Sequence, residues 1–241
     1  MKICILILKV LSKSYLQNRK ARRNNMNSKS DFKPVTVDPN KIYDHSFATI
    51  AEEYGPHDFT ENEWKVVRRI IHASADFDLG RSVIIRPEAI EAGIQAIRAG
   101  KPVIADVQMV EVGTGHKRFQ KYGGDVYCYI SDPDVAKAAK EAGVTRAIMS
   151  MRKAAKWHEG GIYAIGNAPT ALLELIRLIQ EGEAKPDLII GMPVGFVSAA
   201  ESKEELAKVT EVPYITNIGR KGGSTVTVAA LNAISILADQ A

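Results

Sequence analysis

Apolar and polar positions between residues 64 and 76 repeat with helical rather than strand spacing. At about 100° per residue, a helix there collects Trp64, Val66, Val67, Ile70 and Ile71 on one side and Lys65, Arg68, Arg69, His72 and Asp76 on the other. Before it, Asp38-Pro39-Asn40-Lys41-Ile42-Tyr43 reads as a turn entering a helix through 46–53. From Arg86 onward, apolar runs of strand length alternate with helical ones. A helix over 87–99 has Pro87 at its first position and Gly100 just past its end. It runs into an apolar strand, 102–107, which Asp106 terminates. A strand over 125–130 follows, then a helix from Asp132-Pro133 to Gly143 and another capped by Thr145 and reaching Trp157. Three strand–loop–helix units complete the chain, with strands at 162–165, 187–190 and 214–218 and helices through 179, near 199–209 and through 237. This alternation predicts an α/β fold: one domain built on a mainly parallel open sheet with helices on both faces.

The loops of those last three units are Gly166-Asn167-Ala168-Pro169-Thr170, Gly191-Met192-Pro193-Val194-Gly195-Phe196 and Gly219-Arg220-Lys221-Gly222-Gly223-Ser224. Each follows the carboxyl end of a strand, the edge at which open α/β sheets bind ligands. Amides at helix starts favour anions, and glycine lets backbone approach a ligand closely. Any one of the three is also an ordinary βα turn, which commonly needs Gly or Asn. All three together, with Arg220 and Lys221 in the last, argue for a ligand carrying several negative groups. Asp106 has two equal readings, a buried acid bonded to loop amides or a wall of the site. The stretch 113–124, with His116, Lys117, Arg118 and Lys121, reads as a mobile basic loop, either a solvated turn or a lid.

Composition narrows the ligand further. The chain has 241 residues, enough to bury the core of one α/β domain. Its formal charge of +4 is unevenly spread. Residues 1–33 hold nine Lys/Arg against one acid, so 34–241 hold 23 against 27 and are mildly acidic. We read 1–33 as a disordered or loosely attached basic extension, explained if translation starts at Met26, and 34–241 as the domain. Residues 3–8 are apolar but far shorter than the roughly 20 needed to span a bilayer, and the basic stretch 13–23 lacks interleaved aromatics beyond Tyr15, so no membrane or nucleic-acid partner is expected. Two cysteines, Cys4 and Cys128, fit a reducing, cytoplasmic compartment, and Cys128 is most simply a strand residue. No phosphate-loop or dinucleotide fingerprint occurs, and no His or Cys spacing suggests a metal site.

The polar side of the 64–76 helix admits two readings. It is the solvated face of an amphipathic helix, or it presents His72 beside three cations as a proton donor and acceptor for a polyanion. Here the wording of the sequence adds to its spacing. Ser46-Phe47, the acidic start Thr60-Glu61-Asn62-Glu63, Arg69-Ile70-Ile71-His72-Ala73, residues 164–172, residues 191–203 and Gly219-Arg-Lys-Gly-Gly-Ser224 resemble, in order, the precorrin-8X and cobalt-precorrin-8 methylmutase family of corrin biosynthesis.

The resemblance implies an isomerase that moves a methyl group from C-11 to C-12 of precorrin-8X or cobalt-precorrin-8, giving hydrogenobyrinate or cobyrinate. Neither a nucleotide nor a redox cofactor is implied. His72 would be the proton donor/acceptor and Ser46 and Arg69 would contact substrate, while Arg146 would hold a carboxylate. Gly166, Asn167, Thr170, Gly191, Gly195, Arg220, Lys221, Gly222, Gly223 and Ser224 would cradle a polycarboxylate tetrapyrrole. The resemblance also implies a homodimer. The rival from another class is a non-catalytic corrinoid carrier using the same crevice.

Overall fold

In the computed structural model of the protein, residues 38–240 are described. The chain divides into two compact units, 1–44 and 45–241. Of the first, only 38–44 are described, so the readings made for residues 1–33, for the Met26 start and for Cys4 lie outside the described residues. In chain order the elements are α1 (Pro39–Tyr54), α2 (Glu61–Ser74), α3 (Phe77–Arg81), β1 (Val83–Ile85), α4 (Ala89–Arg98), β2 (Val103–Ala105) and α5 (Gln108–Gly113). Then come α6 (His116–Gln120), β3 (Val126–Tyr127), α7 (Pro133–Ala142), α8 (Arg146–Trp157), β4 (Ile162–Ile165) and α9 (Pro169–Gln180). The chain closes with β5 (Leu188–Gly191), α10 (Ala199–Leu206), β6 (Tyr214–Asn217) and α11 (Ser224–Gln240).

The strands form one sheet in the order β1-β6-β5-β4-β2-β3, parallel throughout except for β1, which pairs antiparallel with β6. Because strand side chains alternate between faces, each central strand supplies both cores. Val103, Ala105, Ile162, Ala164, Leu188 and Ile190 meet the buried faces of α2, α4 and α11. Ile104, Tyr163, Ile165 and Ile189 meet α8 and α9. Strands covered on both sides must be apolar at every position, which is why they are readable as continuous apolar runs.

Local chemistry sets the helix ends. A capping box starts α2: the Thr60 hydroxyl accepts from the Glu63 amide at 3.4 Å, and the Glu63 carboxylate accepts from the Thr60 amide at 2.8 Å. Pro133 opens α7, and Gly143 closes it in the left-handed region. Among the described residues, no helix is long and apolar enough to cross a membrane.

Three local expectations change. The strand expected at 125–130 is only Val126–Tyr127, because it lies at the sheet edge and the chain then turns toward α7, where Tyr129 bonds His158 at 2.5 Å. The stretch 113–124 is not a mobile loop. It forms α6 and docks on α11 through Gly115 and Gly113 on the Asn232 amide, Lys121 on Asp239, and the Tyr122 hydroxyl on the Ala238 carbonyl. Finally, β1 is absent from the expected elements. Its three residues, Val83-Ile84-Ile85, are too few for a periodicity, and they are held by pairing with Asn217, Thr216 and Ile215 at the far end of the chain.

Candidate active site

The parallel strands reverse their order of progression beside β2. The connection from β2 leads outward to β3, while β4, β5 and β6 build away on the other side. The crevice between the carboxyl ends of β2 and β4 is therefore the topological switch point, the usual ligand position in such sheets. Here the protein fills it with its own anion. Asp106, fully buried one residue beyond β2, accepts from the amides of Gly166 at 3.0 Å, Asn167 at 2.9 Å and Ala168 at 2.7 Å. Burial raises its carboxyl above the ordinary carboxylate value, and the three amides pull the other way. Of the two readings of Asp106, the structure gives the buried acid bonded to loop amides. The amides of the first loop are consequently taken, and what that loop offers outward is the exposed Asn167 side chain and Thr170.

The glycines in these loops serve approaches between loops. A Cβ on Gly222, at φ +151°, would stand 2.4 Å from the Met192 carbonyl oxygen, and one on Gly166 would stand 2.8 Å from the Ser224 Cα. A Cβ on Gly191 would meet Leu206 at 2.6 Å. The second and third loops are stitched together, Gly223 N–H donating to the Met192 carbonyl at 2.8 Å and Gly195 N–H to the Arg220 carbonyl at 3.2 Å. Glycine lets backbone approach backbone here, so the loops form a fixed edge onto which side chains are mounted.

Those side chains are cations and apolar groups. Arg146 opens α8 beside Thr145, whose hydroxyl lies 3.1 Å from that of Thr170 at the start of α9. A cation at a helix start opposes the helix dipole. Among the described residues, Arg146 makes no hydrogen bond or ion pair that would offset this. Arg152 is engaged instead: with Arg177 it holds the buried Glu174. Burial works against ionising Glu174, but the two guanidinium partners keep its carboxyl below the usual range. On the second and third loops, Val194, Phe196, Val197 and Ile218 are exposed, with the Arg220 guanidinium 5.8 Å from the Phe196 ring centroid. An apolar platform set among cations suits a flat ring system with acidic arms.

The third loop also reaches the helix of His72. Lys221 Nζ lies 2.7 Å from Asp76 Oδ2 and 3.7 Å from Asp78 Oδ2, which fastens the loop to the turn between α2 and α3. Asp76 caps α3 by accepting from the Leu79 amide, and the Lys221 ammonium holds its carboxyl below the ordinary value. Four residues before Asp76, His72 is exposed, while Val66, Val67, Ile70 and Ile71 on the same helix are buried. The imidazole meets the Phe47 ring edge-on at 5.4 Å, and the Arg68 guanidinium lies 4.4 Å over that ring. Arg69 lines a recess with Lys65, Arg68 and Phe47 against the C-terminal half of α11. Arg68 and Arg69 are half-buried, so this face of α2 is not simply a solvated one. Ser46 precedes Phe47 on α1.

Phe47, Asp76 and Lys203 are residues whose place in this arrangement does not follow from the sequence pattern. Lys203 does leave a signal. With Ala199, Ser202 and Leu206 it falls on one helical face, and that face is the buried one.

An open, mainly parallel α/β sheet with cations, apolar side chains and an exposed imidazole mounted near its carboxyl edge defines the class: an α/β protein with an edge of the kind that suits a sizeable acidic ligand. The chain belongs to the precorrin-8X methylmutase family, whose model, CbiC, precorrin-8X methylmutase, matches residues 41–237, and it is an isomerase of that kind. The cobalt-precorrin-8 methylmutase of Priestia megaterium is 67% identical over 214 residues, covering 89% of this chain and 95% of the relative. A precorrin-8X methylmutase of Sinorhizobium is 39% identical over 199 residues, 82% of this chain and 94% of the relative. Among solved structures, precorrin-8X methylmutase from Thermus thermophilus superposes with a TM-score of 0.77 at 42% identity, covering 83% of this chain and 97% of that one.

Proposed function

We propose that this protein moves the methyl group on C-11 of cobalt-precorrin-8 to C-12, giving cobyrinate, in the cytoplasmic synthesis of cobalamin. One carbon–carbon bond breaks and one forms within the same molecule, so the protein's task is to orient the ring, restrain it and move a proton as its double bonds shift. His72 gives and takes that proton. Ser46 and Arg69 hold substrate beside it, Arg146, Asn167, Thr170 and Arg220 receive the acidic arms around the edge, and Lys221, paired with Asp76, keeps the third loop against the His72 helix. The cobalt arrives as part of the substrate. The cobalt form is favoured because relatives at 67%, 51% and 47% identity carry the cobalt-precorrin-8 name, whereas two named for precorrin-8X stand at 39%. The family resemblance further supports a homodimer, to be checked by light scattering in solution.

The observation that carries the catalytic reading is the exposed imidazole of His72, braced by Phe47 on a helix whose end Lys221 ties to the third loop. His72→Ala is expected to keep corrinoid binding while turnover falls by about 10²–10⁴-fold, followed as loss of the absorbance change on conversion. Near-normal turnover would reject the assignment, and a wild-type protein that binds the pigment without changing its spectrum would support a carrier instead. Parallel assays with cobalt-containing and metal-free substrates test the choice between them.

A further inference from the structure

Lys203 is a cation in a place where cations are costly. It sits on α10 with 2% of its surface exposed. Its ammonium donates to the Lys221 carbonyl at 2.6 Å and to Asn217 Oδ1 at 3.3 Å. Both acceptors are neutral, and among the described residues no carboxylate pairs with it. Burial lowers its pKa to about 8, and no charged neighbour restores it. Its own helix offers Glu201, Glu204 and Glu205, all exposed, the last paired with Lys208; β6 offers only the Asn217 amide; and the third loop offers Lys221, whose ammonium is turned to Asp76. A methionine of similar volume would pack here without that penalty. A residue that breaks a local rule at such cost points to a use beyond packing.

The use lies in what its two bonds hold. The third loop contains three glycines at positive φ, Gly219 at +81°, Gly222 at +151° and Gly223 at +124°, so its backbone has unusual freedom. The Lys221 carbonyl is gripped twice from below, by Lys203 and by the Asn217 amide at 2.8 Å, and Asn217 also donates to the Ile218 carbonyl at 3.1 Å. We propose that Lys203 is a positioning residue: through the Lys221 carbonyl it fixes the third loop so that Arg220 faces the substrate and Lys221 stays docked at the end of the His72 helix. The proposal rests on the reading of this edge as the corrinoid site. The buried positive charge also lies beneath a surface built for a polyanion, so bound substrate stabilises the protonated lysine and is held less tightly once that proton is gone.

The test compares full-length wild type, Lys203→Met and Arg220→Ala in the methylmutase assay between pH 7 and 9.5, with melting temperatures alongside. Lys203→Met is expected to melt no lower than wild type and to keep kcat within about threefold. Its KM should rise roughly ten- to a hundredfold, the range that a charge-assisted hydrogen bond commands. Wild-type KM should climb above pH 8, while that of Lys203→Met stays flat. An unchanged KM in Lys203→Met while Arg220→Ala raises it overturns the positioning role and leaves the site standing. A lowered melting temperature with no KM effect makes Lys203 structural only, and also overturns it. If neither Arg220→Ala nor His72→Ala affects catalysis, the site itself has been placed wrongly.

Discussion

Asp106 shows what one side chain can decide. At the end of β2 it occupies the switch point that an external anion would otherwise use, and it satisfies three amides that would be orphaned without it. Removing one partner of a buried charged network costs more than the network's net worth, because the others are left desolvated and unpaired. Asp106→Ala should therefore lose about 3–5 kcal/mol in urea unfolding, and Asp106→Asn should recover only part, since its NH2 group faces donors. A loss below about 1 kcal/mol would show that water substitutes for the carboxylate. The sequence alone leaves this acid with two readings for a physical reason. Its partners lie some sixty residues downstream and meet it only once β2 and β4 are in register. The place of His72 on the polar side of α2 is legible because that helix has a clear period, whereas Lys203 reads as solvent-facing, as a lysine in a polar stretch ordinarily is, unless its register with Ala199, Ser202 and Leu206 is followed.

At the scale of elements, sequence spacing locates the βα loops, and the fold adds a protein neighbour for their glycines that spacing does not show. Their position after apolar strands marks them, yet only the folded chain shows that Gly222 stands against the Met192 carbonyl, where a Cβ would not fit. Two alanine substitutions in the same loop test that contact. At Gly219, with φ +81°, an added Cβ would meet nothing within 4 Å, so Gly219→Ala carries only the left-handed backbone cost of about 1 kcal/mol. Gly222→Ala adds a clash with backbone at 2.4 Å and should cost about 2–4 kcal/mol. It should also raise KM several-fold by parting the second and third loops. Equal effects of the two substitutions on unfolding midpoint and KM would mean that the loops do not depend on this contact. The cap of α2 is independent of the loops. Thr60→Ala should lower stability by about 1 kcal/mol and leave KM unaltered, because the box that it breaks lies at the end of α2 remote from His72.

For the whole molecule, the alternation of apolar strands and amphipathic helices makes the parallel sheet legible, and length defeats the rest: β1 is too short to announce itself, and β3 is shorter than the run that announces it. What no pattern announces is that two ionisable side chains sit within this scaffold and pull its alkaline stability in opposite directions. The folded protein holds the Lys203 proton only up to about pH 8, whereas an ordinary lysine holds it to 10.5, so between these values the unfolded chain binds more protons and stability rises with pH. Burial pushes the Cys128 thiol from 9.0 to about 11, so in that window the folded state binds more protons and stability falls with pH. Tyr163, raised from 10.0 by burial, adds to the fall at higher pH. The rise from Lys203 is therefore unopposed by these acids only between about pH 8 and pH 9. Urea midpoints of wild type should climb across that interval and level off above it. In Lys203→Met the climb should vanish, and below pH 8 this variant should be the more stable by something on the order of 3 kcal/mol. Cys128→Ala, by removing the opposing group, should extend the wild-type climb toward pH 10. A gap between wild type and Lys203→Met that stays constant from pH 7.5 to 10.5 would mean that the ammonium is not desolvated in the folded protein, and its grip on the third loop would then need another explanation.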